Sequence, residues 1–462
     1  MTSDSKEQKI RTTAVKSTRT ANLAYSKYLK HMYVRAAESA ARGDAVAWVM
    51  AGAMADEILV AMDVVRVYPE NFAGVCAAKK GAQLFLESAE ADGFSNVICG
   101  YARTGIGYGR VKRQTGKVPP GTPDGGMPDP TMLVGRTTSC DIGYKWFQAQ
   151  KRYEDAPLHV IDVVMPPLSS DLNKVLPSYI EFQTEELRAF IAFVERVTGR
   201  KMDYDRLNQV VDMAHASIKY YYDTHKLRRA VPCPMPTQDH LACFGPSTFM
   251  LGEPETLQFY KDLHAEVKER VDNKVGVIAD EKYRLLWAGG LPPWHNMGIF
   301  NYFESHGAVF VAETCYNSWD PYPGGTRGDV VEWISRSSLH HRTQYLKPPP
   351  DYIPSKGEPI PGTWLSGRQV SVQWLLDKIK DYKVDGLVMH GTMSCRACTK
   401  GQLYFKDVLK KYIDLPILFI ESDIIDERNF SETQMKSQID AFVENLANAK
   451  GRKQEIQAGI RA

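Results

Sequence analysis

Two hydrophobic rhythms alternate along the chain. Short apolar runs that read as buried strands cover Ala45–Met50, Val64–Val67, Asn96–Cys99, Thr131–Val134 and Leu158–Val164. A second set covers Tyr283–Ala288, Ala308–Glu313, Gly386–His390 and Pro416–Ile420. Helical spacing of apolar positions separates the two sets, over Ile180–Thr198, Asp203–Lys226 and Pro254–Asn273, with Pro-rich connectors between Val231 and Pro246. Helices also alternate with the later strands, at Asn296–His306, Ser371–Tyr382, Gly401–Lys411 and Thr433–Lys450. Strands alternating with helices predict parallel sheets of the doubly wound kind. The expected fold is therefore α/β: a helical N-terminal arm (1–44), a first α/β domain (45–170), a helical middle segment (171–280) and a second α/β domain with a C-terminal helix (281–462). The Gly- and Pro-rich stretch from Gly116 to Pro130 is a long loop, which marks it as functional or mobile.

Charge narrows the range of functions. The chain has 57 Lys+Arg against 55 Asp+Glu, a net charge of +2, so no global field favours nucleic acid or an anionic bilayer. No apolar run approaches the roughly 20 residues of a membrane span. The first thirty residues are polar, without the apolar core of a secretory signal, which predicts a cytoplasmic protein. Eight cysteines in 462 residues are too sparse for a disulfide scaffold.

In open α/β sheets, ligands sit outside the carboxyl ends of the strands. Cys99 ends the predicted strand Asn96–Ile98, and Cys140 follows Thr131–Val134 and opens a helix. Cys395 lies just past His390. All three fall on the functional rim of one or the other sheet. Three converging thiolates suit a soft metal centre and leave a position for a non-protein ligand; the bland alternative is three small buried side chains.

The segments Ile98-Cys99-Gly100-Tyr101-Ala102-Arg103, Ser139-Cys140-Asp141, Ser394-Cys395-Arg396 and Ile420-Glu421-Ser422-Asp423 through Ser431-Glu432 resemble the 2-hydroxyacyl-CoA dehydratase / benzoyl-CoA reductase family. Lys145-Trp146-Phe147, Glu281–Leu285 and Gly401-Gln402-Leu403 are most similar to the larger catalytic subunit of the ATP-dependent (class I) benzoyl-CoA reductases. The resemblance runs from about Trp48 to Leu446. It implies one 4Fe–4S cluster per chain, held by Cys99, Cys140 and Cys395 between two Rossmann-like domains. It also implies a homologous second catalytic subunit, ATP-hydrolysing iron–sulfur activator subunits, ferredoxin as electron donor, and an aromatic or 2-hydroxy acyl-CoA substrate. The implied reaction is reductive dearomatisation of benzoyl-CoA to a cyclic dienoyl-CoA; its rivals are elimination of water from a 2-hydroxyacyl-CoA and a non-catalytic electron relay. Such a reduction needs a potential near the lower limit of clusters, about −700 mV, well below a plant-type ferredoxin near −400 mV. No GxxxxGK[ST] occurs in the chain, so ATP hydrolysis belongs to a partner.

Other residues carry weaker signals. Cys398 completes a CxxC with Cys395 and is an alternative third ligand; a thioredoxin-like redox pair is the other reading. Glu57, in the first turn of a predicted helix, is a candidate carboxylate facing the substrate. His390, at a strand end, is a candidate proton donor. Tyr101 and Trp146 are candidate walls of an acyl pocket. Gly105, Gly107 and Gly109 lack dinucleotide spacing and read as a turn-rich loop over the cluster. Cys76, Cys233, Cys243 and Cys315 read as packing residues. Lys79, Lys80, Arg110, Lys112 and Arg113 are basic enough to meet CoA phosphates, but a solvated face explains them as well and no site is assigned there.

Overall fold

A computed structural model describes residues 14–137, 140–167, 170–317, 320–324, 327–346, 362–365 and 368–457. Two four-stranded parallel sheets organise it. The first contains β1 (Val46–Val49), β2 (Val65–Val67), β3 (Met132–Arg136) and β4 (Leu158–Ile161) in the order β2-β1-β3-β4. The second contains β5 (Tyr283–Gly289), β6 (Ala308–Glu313), β9 (Gly386–Thr392) and β10 (Ile417–Ser422) in the order β10-β9-β5-β6. A small antiparallel hairpin, β7 (Gly362–Leu365) with β8 (Arg368–Ser371), lies between β6 and β9 in the chain. The α/β expectation holds. Central strands are apolar throughout because both of their faces are covered: Trp48 pairs with Leu133 and Trp287 with Val388, and both tryptophans are fully buried.

Each sheet order reverses once, between β1 and β3 and between β9 and β5. At such reversals the flanking connections leave to opposite sides and open a crevice. The long helices Leu172–Thr198, Tyr204–Leu227 and Pro254–Asp272 lie between the sheets in sequence. Asp171 and Asp203 cap the first two through amide hydrogen bonds, and Gly199, at a φ of 69°, ends the first. No helix among the described residues is long and apolar enough to cross a membrane.

Four expectations change. Residues 96–99 form a turn, not a strand, so Cys99 reaches the rim from a helix start. The glycines 105, 107 and 109 lie inside the helix Gly100–Thr115, not in a loop. A Cβ on Gly107 would stand 1.9 Å from the carbonyl oxygen of Phe85, so glycine lets this helix press against Gln83–Ala91. Part of the supposed Pro-rich connector is the helix Thr237–Phe249, and the helix Val330–Thr343 lies after β6, where no element was predicted. The 116–130 loop is pinned by Trp48, whose Nε1–H donates to the Pro128 carbonyl (2.9 Å), and by Tyr108, whose hydroxyl donates to that of Met127 (2.7 Å).

Candidate active site

The two crevices face one cavity of about 540 Å³. From the first sheet it receives the chain after β1 (Met50, Ala51) and after β3 (Arg136, Cys140); from the second it receives Leu291, Cys395 and Cys398. Cys99 enters from the start of the helix Gly100–Thr115. The three cysteines expected to converge therefore line one space, and Cys398 joins them.

Local structure explains how the thiols are presented. Cys99 and Cys140 each immediately precede a helix, Gly100–Thr115 and Asp141–Gln150. The amides of Tyr101 and Ala102 donate toward the Cys99 sulfur, and those of Ile142 and Gly143 toward that of Cys140. Such first-turn N–H groups favour a sulfur that carries negative charge. Burial opposes them. It pushes the Cys99 thiol well above the ordinary thiol range, helped by the neighbouring Cys140 and Cys395, and pushes Cys140 up to about 11. Cys395 is raised first by its side-chain contact with Cys398 and then by burial. A largely buried pocket of clustered thiols aimed at by amides is poorly suited to free thiolates. It suits a thiolate-bound cationic group, and converging cysteines are the usual donors for an iron–sulfur cluster.

The loops that carry these cysteines are locked together. The Ser394 hydroxyl accepts the Gly100 amide (3.3 Å), tying the Cys395 loop to the Cys99 helix. Asp423, buried after β10, accepts the Ser394, Ile425 and Asp426 amides at 2.9–3.2 Å. Gly100 is required by this approach: a Cβ there would lie 2.8 Å from that of Ile425. Arg103, on the same helix and fully buried, reaches Asp426 (3.1 Å) and Glu90 (2.6 Å).

Three carboxyls line the cavity, Asp56, Glu57 and Glu70. Glu57, half-buried in the first turn of the helix Asp56–Ala61, is raised to about 7 by burial and by its neighbour Asp56. Glu70 is also raised to about 7 by burial, against the pull of Arg136 and the Ala51 amide, which reaches its two oxygens at 3.1 and 3.2 Å. Arg136 Nε donates to the carbonyl of the same Ala51 (2.6 Å), so the amide and the carbonyl of one residue are both held. Asp56 is committed elsewhere, to buried Arg66 (2.9 Å) and to Tyr68.

Tyr101 and Trp146 both line the cavity, as expected. Tyr101 belongs to an aromatic chain: the Trp294 indole N–H donates to its hydroxyl, which lies 3.1 Å from that of Tyr316. Glu70, Arg136, Trp294 and Tyr316 were missed in the sequence. Only the rim rule pointed to Arg136, which ends β3.

The structure does not bring His390 to the cavity wall. It is fully buried, with Nδ1 2.7 Å from the Leu291 carbonyl and Nε2 2.7 Å from the Ser422 hydroxyl. The carbonyl requires a proton on Nδ1, so Nε2 accepts from Ser422. Burial lowers its pKa to about 4, and the neutral ring ties β9 to β10 and to the chain after β5. The expected proton donor is a structural bridge. On the basic face, Lys79 and Lys80 are exposed and ion-paired, Lys79 with Asp124 (3.1 Å) and Lys80 with Glu427 (2.7 Å), and Arg110 pairs with Asp92 (3.2 Å). Ser139, part of one resemblance segment, lies outside the described residues.

Comparison with known proteins follows the same residues. The family described as "2-hydroxyglutaryl-CoA dehydratase, D-component" matches residues 53–446. A benzoyl-CoA reductase subunit of Thauera aromatica is 26% identical over 403 residues, covering 84% of this chain and 85% of the relative. The alpha subunit of lactoyl-CoA dehydratase from Anaerotignum propionicum is 25% identical over 89% of this chain and 93% of the relative. The (R)-phenyllactyl-CoA dehydratase alpha subunit of Clostridium sporogenes is 24% identical, with 90% and 93% covered. All three are named as subunits of acyl-CoA enzymes.

Proposed function

The chain belongs to the 2-hydroxyglutaryl-CoA dehydratase D-component family, and from that premise we propose that it is the iron–sulfur subunit of an ATP-dependent benzoyl-CoA reductase. The observation that carries this reading is the convergence of Cys99, Cys140 and Cys395 on a cavity that also holds two protonatable carboxyls and is walled by Tyr101, Trp146, Trp294 and Tyr316. These cysteines would hold one 4Fe–4S cluster, which supplies single electrons when bound.

The residues of the chain do the rest. The aromatic walls exclude water and receive a flat apolar acyl group. Conversion of benzoyl-CoA to a cyclic dienoyl-CoA takes up two electrons and two protons. Glu57 and Glu70, both held near 7, are the groups placed to deliver protons. Arg136, between Glu70 and Cys140, offsets negative charge as electrons arrive. Partners complete the system: a homologous second subunit, an ATP-hydrolysing iron–sulfur activator and ferredoxin. The names of the relatives, each a subunit of a larger enzyme, support such an assembly.

A second reading, a 2-hydroxyacyl-CoA dehydratase subunit, is favoured by the dehydratase names among the relatives. Elimination of water consumes no net electrons, so one carboxyl that removes a proton and returns it to the leaving hydroxide suffices. Anaerobic co-purification with its partners, followed by product analysis, tests the choice. Dienoyl-CoA formed from benzoyl-CoA, with ATP consumed throughout, is expected. Enoyl-CoA from a 2-hydroxyacyl-CoA, with benzoyl-CoA untouched, selects the second reading. Turnover by the isolated chain without ATP rejects the first.

A further inference from the structure

We propose that Cys398 is a fourth thiolate ligand of the cluster held by Cys99, Cys140 and Cys395. The inference rests on the cluster reading above and concerns the one coordination position that three cysteines leave open.

Three observations carry it. Cys398 is 3% exposed, lines the same cavity as the other three cysteines, and its side chain touches that of Cys395. Its backbone is held there. The Gln402 side-chain amide, itself buried, donates to the Cys398 carbonyl (2.6 Å) and to the His390 carbonyl (2.9 Å), clamping the 395–398 turn to the end of β9. Within that turn the Cys398 amide donates to the Cys395 carbonyl (3.2 Å). Finally, the spacing itself is suitable: Cys-x-x-Cys is the spacing by which ferredoxins place two thiolates on one 4Fe–4S cluster. The other cysteines lack this combination. Cys76, Cys233, Cys243 and Cys315 are equally buried, yet none lines the cavity.

The fourth thiolate has a consequence for the reaction. It closes the position where a substrate oxygen would bind iron, so electrons reach the acyl group without its coordination. Dearomatisation of a ring in contact with the cavity tolerates this. Elimination that depends on a metal-held carbonyl does not. One more anionic sulfur also makes the site more negative and lowers its potential, in the direction a difficult reduction needs.

The test uses the anaerobically isolated complex, with cyanide as the probe of an open iron. In the wild type, the electron paramagnetic resonance signal of the reduced cluster should be unchanged by cyanide. Cys398→Ala, and Cys398→Val as a volume-filling alternative, should retain iron, acquire a cyanide-dependent signal shift and show a higher midpoint potential. Loss of iron in both variants with unchanged circular dichroism, while Cys243→Ala keeps its iron, also supports ligation. A cyanide-sensitive wild type, or variants with the wild-type signal and potential, overturns the proposal while leaving the cluster intact. A wild-type complex without iron overturns the cluster reading as well.

Discussion

Two buried clusters in this protein both gather metal-type donors and differ in physics. One is the cysteine cavity. The other lies behind it, where His225, His240 and Glu313 bring three metal-type donors within 4.8 Å of one another. The second cluster already contains its cation: Arg228 grips both Glu313 oxygens at 2.9 Å, and Thr237 adds a hydroxyl at 2.7 Å. Lys378 donates to the Glu313 carbonyl (2.9 Å) and to Asn317 (2.7 Å), with its pKa lowered to about 8 by burial. Burial likewise keeps His240 neutral, at about 4, hydrogen bonded to Tyr221 and to the Tyr316 carbonyl. Nothing is left for a metal to satisfy, and a divalent ion would meet two resident positive charges. The cysteine cluster is the reverse: donors around a space, supported by amides and opposed by burial. Donor type alone does not define a metal site; what matters is whether the protein has already neutralised the donors.

The largest expected effect separates the two clusters directly. Replacing Cys99, Cys140 or Cys395 by Ala should abolish stable cluster binding, read as iron per chain, whereas Glu313→Gln should leave bound iron unchanged in the protein that folds. Stability should respond in the opposite sense. Arg228→Met leaves a buried carboxylate unpaired and should cost about 3–5 kcal/mol in chemical denaturation, against about 1 kcal/mol for a cysteine-to-alanine change. Equal losses from both clusters would erase the distinction.

A third effect is pH-dependent. Glu57 is raised from the ordinary 4.5 to about 7, so the folded apoprotein binds its proton more tightly than the unfolded chain does. The contribution of Glu57 to stability is therefore greatest below about 4.5 and falls as pH rises through the window up to about 7. Glu57→Gln should remove that fall, stabilising the apoprotein at pH 8 by roughly 1–3 kcal/mol and having little effect at pH 4.5. The same variant should keep its iron and slow turnover about 10²-fold or more, the scale of a lost proton transfer. Unchanged turnover would remove Glu57 from the reaction. The smallest effect belongs to the aromatic wall. Tyr101→Phe deletes a hydroxyl bonded to Trp294 and Tyr316 and should cost about 1 kcal/mol, with iron content unaltered.

Strand-forming runs were legible in sequence because buried parallel strands are continuously apolar, as at Val46–Val49 and Ala308–Glu313. The helix Thr237–Phe249 was hidden for a related reason. It is buried on nearly all sides and carries Pro246, so it shows neither an amphipathic stripe nor a permissive composition. Gly105, Gly107 and Gly109 suggested a loop because their role, close approach to Trp146, Phe85 and Gln150, depends on distant residues. At the site, the rim rule placed Cys140 and Cys395 by pattern alone, and Cys99 reached the same place by a different local structure. Glu70 gave no signal and Arg136 only its place on the rim, since their partnership runs through the amide and the carbonyl of Ala51. His390 misled because a strand-end histidine looks the same in sequence whether or not both nitrogens are occupied.

The Ser394–Gly100 tie and the cysteine placement have a consequence for how the protein is made. Cys99 and Cys140 leave the ribosome long before Cys395, and Cys395 takes its place only after β9 has paired with β5 and β10. A nascent chain that has not yet reached Cys395 lacks part of the set of sulfurs, so a cluster offered early in synthesis would meet an incomplete cradle. Loading of the proposed cluster would then follow docking of the two sheets, and a bound cluster would report that the shared cavity is complete.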